Sequence, residues 1–173
     1  MFDATDRSLL VLGGARSGKS RHAQRLAEAC GGRLAFIATA QAFDGEMTAR
    51  IVRHRADRDH RWRTIEAPVD LADAILRADA EDAVLLVDCL TLWASNLLLA
   101  EADTNAALAA LVSAIGDARG RIILVSNEVG LGIVPDNALA RRFRDLAGTI
   151  NQAVAAVADR VHFIAAGLPL VLK

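Results

Sequence analysis

Eight residues near the start of the chain, Gly13-Gly14-Ala15-Arg16-Ser17-Gly18-Lys19-Ser20, set a lysine ammonium and a serine hydroxyl directly behind a glycine-rich turn. The spacing satisfies G-x-x-x-x-G-K-[ST] at every fixed position, and that pattern suits polyphosphate chemistry. Glycines let the backbone turn tightly and aim its N–H groups at phosphate oxygens. Lys19 supplies a mobile positive charge for the outer phosphates, and the Ser20 hydroxyl can ligate Mg²⁺. A helix beginning near Lys19 adds its positive dipole end to the same place.

Two further places carry chemistry. Asp88 ends the apolar run Val84-Leu85-Leu86-Val87, where a phosphate-loop protein sets its second Mg²⁺ or nucleotide contact; alternatively it caps the helix that follows. The stretch from Asp44 to Arg58 is rich in arginine. As a helix it stacks Met47, Arg50, Ile51, His54 and Arg58 on one face. Arg50 and Arg58 then flank His54 one turn away on either side, which favours a neutral imidazole. A neutral imidazole is a nucleophile, and the guanidiniums can hold the phosphate it attacks. The same residues also read as a solvated basic face with His54 packed beside Met47 and Ile51.

These groups need a scaffold, and the apolar pattern supplies one. Ser8 to Leu12 reads as a buried strand, followed by a helix carrying Ala23, Leu26, Ala27 and Cys30, with Gly31-Gly32 as its stop. Leu34 to Ala38, a short Trp62 to Glu66, Ala83 to Val87, Ile122 to Val125 and Val161 to Ala165 read as further strands. Between them lie helical stretches over about Asp44 to Asp57, Val69 to Leu76, Leu90 to Ala118 with a break near Glu101, and Leu139 to Val157. Pro169 to Leu172 is a hairpin partner for the last strand around Gly167. Continuous apolar strands alternating with helices imply an α/β fold with a doubly wound, mostly parallel sheet and a C-terminal β-hairpin. No linker or repeat divides it, so residues 1–173 read as a single nucleotide-binding catalytic domain.

Composition narrows the function. A formal net charge of −1 and 53% hydrophobic residues argue against a nucleic-acid binder and against disorder. The first residues lack the basic and apolar regions of a signal peptide, and no apolar run reaches the ~20 residues of a membrane span. Cys30 and Cys89 are too few for a metal knuckle and read as buried small hydrophobes in a reducing cytoplasm. Lys19 and Lys173 are the only lysines in an arginine-rich chain, so lysine persists where a slim ammonium suits a phosphate cradle. His22 reads as a surface residue of the first helix, and Trp62 and Trp93 as packing residues.

With these residues in view, the chain resembles the bifunctional adenosylcobinamide kinase / adenosylcobinamide-phosphate guanylyltransferase family of cobalamin biosynthesis. The likeness rests on the phosphate loop with Arg21-His22-Ala23; on Ile37-Ala38-Thr39-Ala40-Gln41 with Glu46-Met47 and Arg50-Ile51; on Trp62-Arg63-Thr64-Ile65-Glu66; and on Asn127-Glu128-Val129-Gly130-Leu131-Gly132-Ile133-Val134-Pro135. Ala140-Arg141 and Phe143-Arg144-Asp145 extend the last block.

The resemblance implies a P-loop NTPase fold similar to RecA, and a homotrimer. It implies phosphorylation of adenosylcobinamide with ATP or GTP, then transfer of GMP from GTP to adenosylcobinamide phosphate. Pyrophosphate leaves, and the product is adenosylcobinamide-GDP. It makes His54 the nucleophile that carries GMP, with Lys19 as the catalytic cation. Nucleotide contacts then fall on Gly13 to Ser20, on Ala38, Thr39 and Ala40, on Arg55, Ala56, Asp57 and Arg58, and on Glu66 and Asp88, with Ser20 and Asp88 toward Mg²⁺. The chain departs from some relatives in carrying Asp88 in place of Glu and Arg53 in place of a second histidine. Asp88 or Glu128 remains open as the base for the kinase step. Two rivals need less: a plain small-molecule kinase without a covalent histidine, and a nucleotide-dependent switch, which the missing Asn-Lys-x-Asp guanine signature disfavours.

Overall fold

The computed structural model describes residues 5–41 and 59–173. The helix expected over residues 44–57 lies outside the described residues. The strands are β1 (Ser8–Gly13), β2 (Arg33–Ala38), β3 (Arg63–Glu66), β4 (Ala83–Asp88), β5 (Arg121–Asn127), β6 (Arg160–Ala165) and β7 (Leu168–Val171). The helices are α1 (Lys19–Cys30), α2 (Leu71–Ala78), α3 (Leu90–Leu99), α4 (Thr104–Gly116) and α5 (Ala138–Val157). One sheet holds the strands in the order β3-β2-β4-β5-β1-β6-β7, parallel throughout except for the β6–β7 hairpin.

The strand sequences are apolar on consecutive residues because both sheet faces are covered. Leu9, Val11, Leu86, Ile123, Val125 and Ile164 pack on the face that α1 covers. Their neighbours Leu10, Leu85, Val87, Ile122 and Leu124 pack on the other, against Ile75 of α2, Trp93 and Leu97 of α3, Leu111 of α4, and Ile150 and Val154 of α5. Ala23 and Ala27, both fully buried, are among the α1 residues that meet the sheet, and their small side chains let this helix lie close. Trp93 is buried as a packing residue, with its indole N–H donating to the Val69 carbonyl at 2.7 Å. Trp62 is half-buried, edge-on to Phe36.

The helix ends have local causes. Gly31 takes a left-handed φ of 68° behind Cys30 and stops α1. The long helical stretch after Asp88 is two helices, because Glu101 adopts φ 51° and turns the chain. The Asp103 side chain then accepts from the Asn105 and Ala106 amides to start α4, and the Asn137 side chain accepts from Ala140 N–H to start α5. Between β6 and β7, Ala166 and Gly167 both have positive φ, 52° and 82°, as a two-residue hairpin turn with the sheet's own twist requires.

Candidate functional site

The site lies along the carboxyl ends of the parallel strands, on the face covered by α1. Alternation fixes which residues reach it: Gly13 continues the Leu9-Val11 face, Asp88 the Val84-Leu86 face, and Asn127 the Ile123-Val125 face. Ala38 packs on that face too, level with Glu66 on β3 and Asp88 on β4.

Gly13 ends β1 where the chain must pass very close to itself. A Cβ there would stand 2.7 Å from the Ile164 carbonyl and 2.6 Å from the Ser17 hydroxyl, so only glycine fits. The loop then turns with Ser17 N–H donating to Gly14 C=O at 3.2 Å. Gly18 precedes α1 with φ 94° and offers no side-chain cap. Lys19 is buried, its Nζ donating to Gly14 C=O at 3.3 Å, which folds the ammonium back over the loop. Ser20 follows on the first turn, half-buried, while Ala15 and Arg16 are exposed. The hairpin braces the loop from behind: Gly167 N–H donates to Ser17 C=O at 2.8 Å.

Asp88 is half-buried at the end of β4, and α3 has Cys89 as its N-cap residue, with no side-chain cap. The capping alternative for Asp88 is therefore set aside, leaving its carboxylate for the site. Thr39 is wholly buried and its hydroxyl is committed: it donates to Cys89 C=O at 2.7 Å and accepts from Cys89 N–H at 2.8 Å. Asn96 donates to Thr39 C=O at 2.7 Å. The Thr39 side chain thus clamps β2 to the β4–α3 turn. Burial, with Asp88 nearby, pushes the Cys89 thiol up to about 11, so it is an inert packing residue. Cys30 is only half-buried, against the expectation from sequence; it packs against the same core cluster as Ala23 and Ala27, at the last turn of α1. Glu128 folds its carboxylate back onto the Gly130 amide of its own turn. Arg50, His54, Arg55, Ala56, Asp57 and Arg58 lie outside the described residues.

Two features escaped the sequence reading. His22 does not sit on the surface: it is half-buried, with Nε2 at 3.1 Å from Nδ1 of His162, itself 3% exposed on β6. Helical spacing sets His22 on the α1 face of Lys19, Ala23 and Leu26, whereas Arg21 is exposed; the partner of His22 on β6 lies 140 residues away, and no local pattern reveals it. The second is a polar knot at the end of β5. Asn127 N–H donates to Thr91 Oγ at 2.7 Å, Thr91 lies 3.3 Å from the Ser126 hydroxyl, and Asn151 Nδ2 donates to Asn127 C=O at 3.2 Å. An asparagine closing an apolar strand is a visible signal, but its partners come from two other elements, α3 and α5.

Described side chains include no group of three or more His, Cys, Asp or Glu that could hold a metal alone. Ser20 and Asp88 instead fit the way Mg²⁺ is bound beside phosphates, through one or two protein oxygens with the nucleotide supplying others.

Residues 9–172 match the family model described as cobinamide kinase / cobinamide phosphate guanyltransferase. The chain is 55% identical to the bifunctional adenosylcobalamin biosynthesis protein CobP of Pseudomonas aeruginosa, across 95% of this chain and 96% of that one. It is 40% identical to the bifunctional adenosylcobalamin biosynthesis protein CobU of Escherichia coli, across 95% and 99%. Among solved structures, the RadB recombinase aligns with a TM-score of 0.54 at 14% identity, over 91% of this chain and 74% of that one. An ATPase of a bacterial type III secretion system aligns at 0.56 and 13%, over 96% and 56%. These last two share the P-loop ATPase fold.

Proposed function

Because the chain belongs to the cobinamide kinase / cobinamide phosphate guanyltransferase family, we propose that its carboxyl-edge site serves both reactions of a bifunctional enzyme through one nucleotide-binding loop. The chain is a kinase and guanylyltransferase of cobalamin biosynthesis, acting as one catalytic domain. The observation that carries the site assignment is the convergence of Gly13, Lys19, Ser20 and Asp88 on the α1 face of one strand edge.

The loop amides and Lys19 hold the β and γ phosphates of ATP or GTP. Ser20 and Asp88 would hold Mg²⁺, which would shield phosphate charge. In the kinase step the adenosylcobinamide hydroxyl oxygen bonds to Pγ as the bond from Pγ to the β-phosphate oxygen breaks. The hydroxyl proton leaves to a base, Asp88 or Glu128. In the second step the His54 imidazole bonds to Pα of GTP and pyrophosphate leaves, its charge held by Lys19 and the arginines Arg55 and Arg58. The oxygen of adenosylcobinamide phosphate then bonds to Pα and releases His54, giving adenosylcobinamide-GDP. Ala38, Ala40 and Glu66, along the same strand edge, are the nucleoside contacts, Ala56 and Asp57 lie in the His54 segment, and Thr39 positions its neighbours. Two free cysteines fit a cytoplasmic setting.

We also assign the protein as a homotrimer. Leu131, Ile133 and Val134 are exposed in the loop after β5, Ile133 by 98%, an apolar patch suited to burial against a second copy.

Incubation with GTP labelled at its α-phosphorus, followed by denaturing electrophoresis, tests the covalent step. Label is expected on the wild type and absent from His54→Ala. Label on both proteins moves the nucleophile to another residue, and label on neither removes the guanylyl-histidine.

A further inference from the structure

Three arginines open α5, and each stands in a different environment. Arg141 donates from Nη1 to the Pro135 and Asp136 carbonyls, at 2.9 and 2.6 Å, and ties the loop after β5 to the helix. Arg142 is exposed to solvent. Arg144 is neither bound to the backbone in this way nor solvated. Its side chain is 23% exposed, and among the described residues its one ion-pair partner is the adjacent Asp145, at 3.6 Å and 73% exposed. Consecutive residues on a helix do not face each other, and an exposed carboxylate at that distance contributes little. A guanidinium held largely out of water costs free energy unless an anion meets it.

The direction of α5 fixes where Arg144 stands. The helix ends just before β6, whose first residue, Arg160, is level with Leu9 near the amino end of β1. Earlier in the helix, Asn151 Nδ2 donates to Asn127 C=O at the carboxyl tip of β5. The part before it, Ala138 to Ile150, therefore stands beyond the strand tips for ~20 Å. Arg144 lies two turns before Asn151, ~10 Å further out, on the same helix face, with buried Ala147 between them. That face looks over the tip of β5. Helical side chains lean toward the helix N-terminus, so the guanidinium reaches outward past the tip rather than down onto the phosphate loop. The loop itself rises from β1, the neighbour of β5, and leads into α1 on the opposite face of the sheet. A nucleotide on the loop and Arg144 thus lie on opposite sides of the same strand tips.

We propose that Arg144 binds the phosphate of the second-step acceptor, adenosylcobinamide phosphate. The proposal rests on the guanylyltransferase reading given above. Loop amides and Lys19 already serve the nucleotide phosphates, and the kinase-step acceptor offers only a hydroxyl. The second-step acceptor is the substrate that brings a phosphate of its own, from the side opposite the loop. Two parallel N–H donors of the guanidinium hold two of its oxygens and leave the third to bond to Pα.

The full chain is compared as wild type, Arg144→Ala and Arg144→Lys in three assays. These are label uptake from GTP labelled at its α-phosphorus without acceptor, GMP transfer to adenosylcobinamide phosphate, and phosphorylation of adenosylcobinamide by ATP. Arg144→Ala is expected to raise KM for adenosylcobinamide phosphate about ten-fold or more, the scale of lost hydrogen bonds to a charged group. Its label uptake and its KM for adenosylcobinamide are expected to match wild type, which also shows that the variant is folded. Arg144→Lys, which keeps the charge, is expected to recover part of the loss. An unchanged KM for adenosylcobinamide phosphate overturns the proposal. So does an equal rise for both acceptors, or lost label uptake, since either marks a purely structural role. Failure of the guanylyltransferase reading looks different: wild type then takes up no label and transfers no GMP, and the proposal falls with it.

Discussion

At the scale of single residues, the His22–His162 pair makes a titratable contact between α1 and β6. Burial lowers the pKa of both imidazoles, helped by Arg25 at His22 and by His22 and Arg160 at His162. A group with a depressed folded pKa binds fewer protons in the native state than in the unfolded chain. Stability is therefore complete above the ordinary value of 6.5 and falls as pH drops below it. Urea unfolding midpoints at pH 7.5 and pH 5.5 read this out. His162→Phe is expected to reduce the difference between the two midpoints; an unchanged difference assigns the acid sensitivity to other groups. Lys19, Asp88 and Gly13 could be singled out from sequence because their chemistry follows from residue type and motif spacing. The side-chain roles of Thr39 and His22 could not, because each depends on a partner 50 or 140 residues away.

Among the elements, the β6–β7 hairpin matters beyond its size because Gly167 donates to Ser17 in the phosphate loop. Its first turn residue, Ala166, carries a φ of 52° that costs an alanine about 1 kcal/mol relative to a residue at ease in the left-handed region. Ala166→Asn, giving the Asn-Gly pair this turn prefers, is expected to raise stability by about 0.5–1 kcal/mol, as seen in the unfolding midpoint. A lower midpoint would mean the turn is held by contacts that asparagine disturbs. The hairpin was legible from Gly167 between two apolar runs, and the helix break from Glu101. That the hairpin braces the phosphate loop was not, since the two are joined only when β6 lies beside β1.

For the whole molecule, the exposed Leu131, Ile133 and Val134 set a prediction about assembly. Sedimentation equilibrium of the wild type is expected to give three times the monomer mass, and Ile133→Glu a shift toward monomer. A monomeric wild type removes the trimer; an intact trimer in the variant moves its interface to another surface.

The amino-acid sequence by itself determined the class of fold, the order of its strands and helices, the phosphate loop and the acid at the end of β4. Each of these follows from local pattern: apolar runs of strand length, helical periodicity, glycines at forced turns. Tertiary structure alone decided the strand order β3-β2-β4-β5-β1-β6-β7, which face each strand end presents, and which polar atoms are already paired. The physical reason is that parallel pairing joins segments far apart in the chain. Until β5 lies between β4 and β1, nothing in the order of residues distinguishes Asn127, tied to Thr91 and Asn151, from any other asparagine at the end of a strand.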